Sequence, residues 1–272
     1  MSKEVPPNTP QFYTLQETPS LNEQLKKAAA LKAEIESCRP LAGNLWETIQ
    51  EKLRLEWTYN SNAIEGNTLT ESETFFFLRE GITAEGKPFK DFMETKNHHD
   101  AISFLLEVTQ GKRPISESLL KEINALLMRG IDHTTTGQYK KHPNFTLQAD
   151  LRTVHRYVEP LQVPGEMEQL CEWINQNIES QHPVITSAIA HYNFVRIHPF
   201  DDGNGRGARI LMNLILMKKA FPPAIIRNTD RRIYIETLNT ADQGNLTPFV
   251  EFVTESLLET QTIMVDELKK SN

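Results

Sequence analysis

The stretch His198-Pro-Phe-Asp-Asp-Gly-Asn-Gly-Arg-Gly-Ala-Arg209 concentrates side chains that could handle a phosphate ester. Gly203 and Gly205 let the backbone turn tightly, and consecutive amide N–H groups in such a turn form a nest for an anion. A helix starting near Gly205 or Arg206 would aim its N-terminal amides and its dipole at the same point. Arg206 and Arg209 fall on one side of that helix and suit a ligand with more than one phosphate. Asp202 belongs beside an anion only if a cation mediates. A hard divalent ion held jointly by carboxylate and phosphate oxygens, Mg²⁺ by preference, meets that need. His198, an imidazole that ordinarily titrates near neutrality, is suited to accept a proton from a nucleophile attacking the phosphate. The chemistry implied is phosphoryl or nucleotidyl transfer. A lone His-Pro turn or a lone Gly-Asn-Gly is ordinary structure, and Asp201 reads as a solvated loop acid; the ordered combination carries the reading.

The elements that must position these residues read as helices. Leu21, Leu25, Ala28, Leu31 and Ile35 share one helical face, and Leu41, Leu45, Ile49 and Leu53 mark a second helix. Thr70 and Glu73 fit a capping box ahead of an aromatic run. Lys87-Pro-Phe opens a helix toward residues 103–108, and Leu119, Ile123, Leu126 and Leu127 mark the next. Met167, Leu170, Cys171, Ile174 and Ile178 keep the helical period, and 183–197 is a further helix stopping before His198. The run 210–217 has no polar face and predicts a central, buried helix. Thr247-Pro248 looks like an N-cap with proline at the first helical position. Within 141–160, the pieces NFTL and TVHRYV, joined by QADLR, predict a β-hairpin that must lean on the helical body.

Bulk properties exclude some classes. The 272 residues carry a net charge of −7 at pH 7, which argues against a general nucleic-acid binder. Cys38 and Cys171 form no CxxC pair, so a reduced, cytoplasmic setting is expected. No apolar run is long enough to cross a bilayer, and residues 1–19 read as a flexible tail without a signal peptide.

The stretch 198–209 resembles the Fic family signature, His-Pro-Phe-x-Asp/Glu-Gly-Asn-Gly-Arg-x-x-Arg, at each defining position. The resemblance extends upstream through AHYNFVRIHPF and downstream through ILMNLILMKKAFPP, over about residues 55–260. It implies an all-α, Fic-type helical bundle with a small β-hairpin flap beside the active site. The division implied is a tail at 1–19, an N-terminal helical region at 20–110 and a Fic core at 111–265. It also implies an enzyme that transfers AMP from ATP to a hydroxyl of a target protein and releases pyrophosphate. In that scheme His198 is the base and Asp202 holds Mg²⁺ against the α- and β-phosphates. Gly203, Asn204 and Gly205 form the nest, and Arg206 and Arg209 contact the outer phosphates. Tyr234 matches a recurrent tyrosine near the adenine, Phe200 anchors the loop, and Asn213 reads as a core hydrogen-bonding residue. Gly137-Gln-Tyr139-Lys140 resembles the lead-in to the flap, and 141–160 the flap on which a target segment docks by strand addition.

By residue type alone, SNAIEGN at 61–67 is a helix end capped by Gly66. Beside a Fic signature, Ser61-x-x-x-Glu65-Gly66 resembles the inhibitory motif of the subclass that carries its block ahead of the core. Glu65 would then pair with Arg209 and keep it from orienting the γ-phosphate, with Ser61 tethering the inhibitory helix. The resemblance leaves room for a homodimer and for modification of the protein itself, and implies no membrane or nucleic-acid partner. Competing readings are removal of AMP by the same pocket, a nucleotide-binding interaction module without transfer, and a metal hydrolase using His191, His198 and Asp202. The last matches no helical zinc spacing.

Overall fold

The computed structural model of the protein describes residues 11–38, 44–111, 113–131, 135–147 and 154–270. The helices among them are α1 Pro19–Ser37, α2 Leu45–Ile64, α3 Glu71–Glu80, α4 Phe89–Gln110, α5 Glu117–Leu127, α6 Val163–Asn177, α7 Pro183–Ile197, α8 Asn204–Lys218, α9 Arg231–Asp242 and α10 Thr247–Lys269. Strands β1 Phe145–Leu147 and β2 Val154–Arg156 form an antiparallel hairpin in which Thr146 faces His155. The expected all-α class with one small hairpin holds. Leu41 and the hairpin turn at 148–152 lie outside the described residues. Among the described residues, no helix is long and apolar enough to cross a membrane.

Local chemistry sets the boundaries. Thr70 accepts from Glu73 N–H while Glu73 returns a bond to the Thr70 N–H, so the capping box forms as written. Ser116 caps α5 by accepting from the Leu119 N–H. Helix α8 is buried along its length and packs against α7, α4, α5 and α2, the central position expected of an apolar run. Its start at Asn204 is a residue earlier than expected, because the turn at Gly203 already supplies the N-cap.

Two expectations need correction. Residues 11–18 do not trail as part of a loose tail: Tyr13 is buried against Trp173, and Asn193 Nδ2 donates to the Phe12 carbonyl at 2.9 Å. Burying these aromatic rings outweighs the polar and proline content that suggested disorder. Thr247 is not the N-cap of α10; Leu246 holds that position. The Thr247 hydroxyl instead donates to the Gln16 carbonyl at 2.7 Å, fastening the N-terminal segment. A single apolar cluster takes residues from both sides of position 110, so the expected N-terminal region and core share one interior.

Candidate active site

Helix α7 ends where Pro199 follows His198, since the residue before a proline is disfavoured in the helical region. His198 caps the helix at φ 51°, ψ 60°, its N–H donating to the Phe194 carbonyl. Among the described residues only His198 and Ala220 combine a side chain with positive φ. Such a conformation is uncommon outside glycine and concentrates at functional sites. Phe200 is buried against Tyr139 and Phe194 and anchors the loop as expected. The Asn204 side chain closes the turn: Phe200 N–H donates to Asn204 Oδ1 at 3.0 Å, and Asn204 Nδ2 donates to the Phe200 carbonyl at 2.8 Å. Its amide is therefore a clamp, and an anion nest here is a matter of backbone N–H groups. Gly203 turns the chain at φ 79°, where a Cβ would also press on Met128 Sδ at 3.0 Å.

Two ring relations define His198. Its Nδ1 lies 3.3 Å from the Val195 carbonyl, which can only accept, so Nδ1 carries the proton and Nε2 keeps the lone pair. Tyr157, just beyond β2, stacks on the imidazole with centroids 3.7 Å apart and planes 20° apart. Burial pushes the His198 pKa down to about 4; the bond to Val195 and the charge of Glu65 oppose this, and Lys140 and His155 add to it. The ring is thus a neutral base at pH values where an ordinary imidazole is still partly protonated. This departs from the near-neutral titration expected from residue type.

The arginines divide. Arg209, 2 % exposed, donates from Nε to Ser61 Oγ at 2.9 Å, and from Nη2 to the Ser61 carbonyl at 2.8 Å and to Glu65 Oε1 at 2.7 Å. Ser61 and Glu65 lie a helical turn apart at the end of α2, so one guanidinium grips that turn. A Cβ at Gly205 would collide with the Glu65 carboxylate, so that carboxylate rests on the backbone at the start of α8. Burial alone would raise the Glu65 carboxyl, but Arg209, then Arg206 and Arg231, hold it below its ordinary value. Arg206 turns instead toward α4, 3.3 Å from Glu94 Oε1, with Nη2 against Met128 Sδ.

Asp202 has its side chain 56 % exposed, with Oδ1 3.7 Å from Arg206 Nη2 and accepting the Gly203 N–H at 2.5 Å. Tyr234 lies 2 % exposed behind the site; its hydroxyl meets His191 Nε2 at 3.0 Å, and it neighbours Arg209. It reaches the site through that arginine and not through an open face. His191 is fully buried and so engaged, apart from Asp202 on the open loop. Asn213 exchanges two hydrogen bonds with the Ala224 backbone, the core role expected of it.

The sequence reading missed Asn124 and Glu94, and it named Lys140 and Asn144 only as part of the flap and its lead-in. Asn124 of α5 accepts the Gly137 N–H and donates to the Asp202 carbonyl, both at 2.9 Å, tying the flap's lead-in to the glycine turn. Lys140 N–H donates to the Pro199 carbonyl at 2.9 Å, and Asn144 Nδ2 to the Phe200 carbonyl at 3.0 Å. Glu94 joins Arg206 to Asn67, whose Nδ2 donates to Glu94 Oε2 at 3.1 Å. Asn124 and Glu94 left a signal, a polar residue at a helical position that proves buried.

A helical bundle whose central helix begins at a glycine turn, beside a histidine and beneath a hairpin, is the Fic architecture. The Fic/DOC family model matches residues 114–216. A Fic-domain-containing signaling protein from Bacteroides thetaiotaomicron has a TM-score of 0.83 and 32 % identity, over 90 % of this chain and 97 % of that chain. Fic-1 from C. elegans has a TM-score of 0.83 and 27 % identity, over 93 % of this chain and 74 % of the other. The protein named Protein adenylyltransferase Fic from Nematostella vectensis is 35 % identical over 197 residues, 72 % of this chain and 45 % of the relative. This chain spans less than half the length of such curated relatives. The chain belongs to the Fic/DOC family.

Proposed function

We propose that the protein is an autoinhibited protein adenylyltransferase, transferring AMP from ATP to a hydroxyl side chain of a target protein. The observation that carries the proposal is the Glu65 carboxylate, which lies on the Gly205 backbone and pairs with Arg209 at the N-terminus of α8. An anion already sits where helix amides and a guanidinium would receive a phosphate. The curated relatives' names support the transferred group.

In the proposed reaction His198 Nε2 takes the proton of the target hydroxyl as its oxygen bonds to the α-phosphorus. The bond from that phosphorus to the bridging oxygen breaks, and pyrophosphate leaves. The neutral imidazole supports the base role. The backbone N–H groups from Asn204 to Arg206, with no carbonyl a helical turn earlier to accept them, would bind phosphate oxygens. The exposed Asp202 carboxylate fits Mg²⁺, which binds through one or two carboxylates plus substrate phosphates and would neutralise charge on them. The flap 141–160 would hold the target segment, which this reading allows to come from the protein itself.

In the resting state Glu65 neutralises Arg209, so a triphosphate binds without the orientation that in-line attack requires. The experiment is intact-mass spectrometry of the Glu65→Gly protein after incubation with ATP and Mg²⁺, with candidate targets added. Mass increments of one AMP, on the protein or a target, exceeding those of the parent and absent from Glu65→Gly/His198→Ala, are expected. No increment over the parent, or one that persists without His198, overturns the reading.

A further inference from the structure

The Tyr157 ring lies face to face with His198 and is itself held from several directions. His155 packs edge-on against it, with centroids 4.8 Å apart and planes 67° apart. The Tyr157 hydroxyl is 3.2 Å from Thr146 Oγ1 across the hairpin. His155 Nδ1 lies 3.6 Å from Asp242 Oδ2, and the other oxygen of Asp242 accepts the Tyr192 hydroxyl at 3.0 Å. Asp242 of α9, itself held by Tyr192 of α7, thus stands beside the hairpin strand next to the histidine. The hairpin is short, and an isolated one is marginal in water, so the contacts around Tyr157 bear on where its ring stands.

We propose that Tyr157 is a positioning residue for transfer, fixing the plane of the His198 imidazole through the stack, with His155 and Asp242 holding it in place. This rests on the transferase reading. The stack covers the face of the imidazole, whereas the Nε2 lone pair lies in the ring plane. Tyr157 therefore leaves the edge open to a target hydroxyl while blocking rotation of the ring out of line. The Val195 carbonyl fixes the tautomer, and Tyr157 fixes the orientation. Stacking of this kind adds to simple area burial. The charged or titratable groups facing His198 are Lys140 from the flap's lead-in, Glu65 from the end of α2 and His155 from β2.

Tyr157→Ala, Tyr157→Phe and His155→Ala are made in the Glu65→Gly background. His198 is followed by NMR titration of its ring protons, and AMP transfer by kcat and KM for ATP. Tyr157→Ala is expected to raise the His198 pKa toward the ordinary imidazole value by admitting water. It is also expected to lower kcat roughly ten- to a hundredfold with KM for ATP unchanged. Tyr157→Phe keeps the stacked ring but loses the contact with Thr146, so it moves both values less than Tyr157→Ala does, and His155→Ala moves both in the same direction as Tyr157→Ala but less. If Tyr157→Ala leaves kcat unchanged or raises it, the ring is ornamental or an obstacle and the proposal fails. It fails equally if KM alone changes or if the titration does not move. Should Glu65→Gly transfer nothing at all, the titration still decides whether the stack governs His198, so the two readings fail separately.

Discussion

Arg209 Nη2 donates to Glu65 Oε1 at 2.7 Å, joining the last turn of α2 to the first turns of α8. The arginine is nearly sealed from solvent, while the glutamate side chain is 39 % exposed. The arginine is the more deeply buried partner, and the carboxylate lies packed on the Gly205 backbone beside it.

Gly205 reports directly on that contact. In the parent, Gly205→Ala drives a Cβ into the Glu65 carboxylate; with Glu65→Gly the nearest remaining atom is Arg209 Nη1 at 3.3 Å, the end of a flexible side chain. The alanine should therefore lower the Tm of the parent and leave the Glu65→Gly protein unchanged or stabler. The coupling expected is about 1 kcal/mol. Equal effects of Gly205→Ala on Tm in both backgrounds would show that the carboxylate does not rest there.

Glu65→Gln separates charge from volume. It keeps the shape and one hydrogen bond to Arg209 but loses the ion pair, so its AMP transfer should fall between the parent and Glu65→Gly. Charge-assisted bonds are about twice as strong as neutral ones. The measurement is label incorporated from ATP under identical conditions. Transfer by Glu65→Gln no greater than the parent's would mean that the side chain blocks by bulk alone.

Acid should act on stability before it acts on charge at His198. Burial lowers the pKa of His198 to about 4, and burial followed by Arg54 lowers His99 to about 4; burial holds His98 and His191 well below 6.5. The unfolded chain binds protons at these rings first, so stability is intact above 6.5 and falls as pH drops toward about 4. Tm measured across that window should decline, and less steeply in His198→Ala. The acid limb of transfer in the Glu65→Gly protein should lie near His198's depressed value; a limb at the ordinary imidazole value would contradict the neutral base.

Asn124→Ala strips a partner from the Gly137 N–H and from the Asp202 carbonyl at once. A loss of about 1–2 kcal/mol is expected, since both bonds are only part-buried and a typical hydrogen bond contributes about 0.5–1.5 kcal/mol net. Chemical denaturation measures it. In the Glu65→Gly background, transfer should fall as well, because the flap's lead-in and the Asp202 turn lose their common tie. A stability change without any loss of transfer would confine Asn124 to packing.

Much of this was legible in the residues. The bounds of α7 were readable from Pro183 and Pro199, and the capping box from Thr70 and Glu73, because those signals are local. The meeting of Glu65 and Ser61 with Arg209 was anticipated only through the inhibitory motif. Nothing in the spacing of a helix end and a loop so far along the chain sets that distance. The turn of Arg206 toward Glu94, the stack of Tyr157 on His198 and the double bond-making of Asn124 were not readable, since each depends on helices packing across the bundle. Tyr13 misled for the complementary reason: its burial comes from α6, not from its polar neighbours in the chain.

Arg231, at the start of α9, donates from Nε to the Ile64 carbonyl at 2.8 Å, adjoining Glu65. Helix α9 also carries Asp242, which lies 3.6 Å from His155 in the hairpin beside His198. One helix therefore touches the end of α2 beside Glu65 with its first residue and approaches the hairpin with its last. The residue next to Glu65 and the strand beside the His198 ring thus share one neighbouring element, although they lie far apart in the chain.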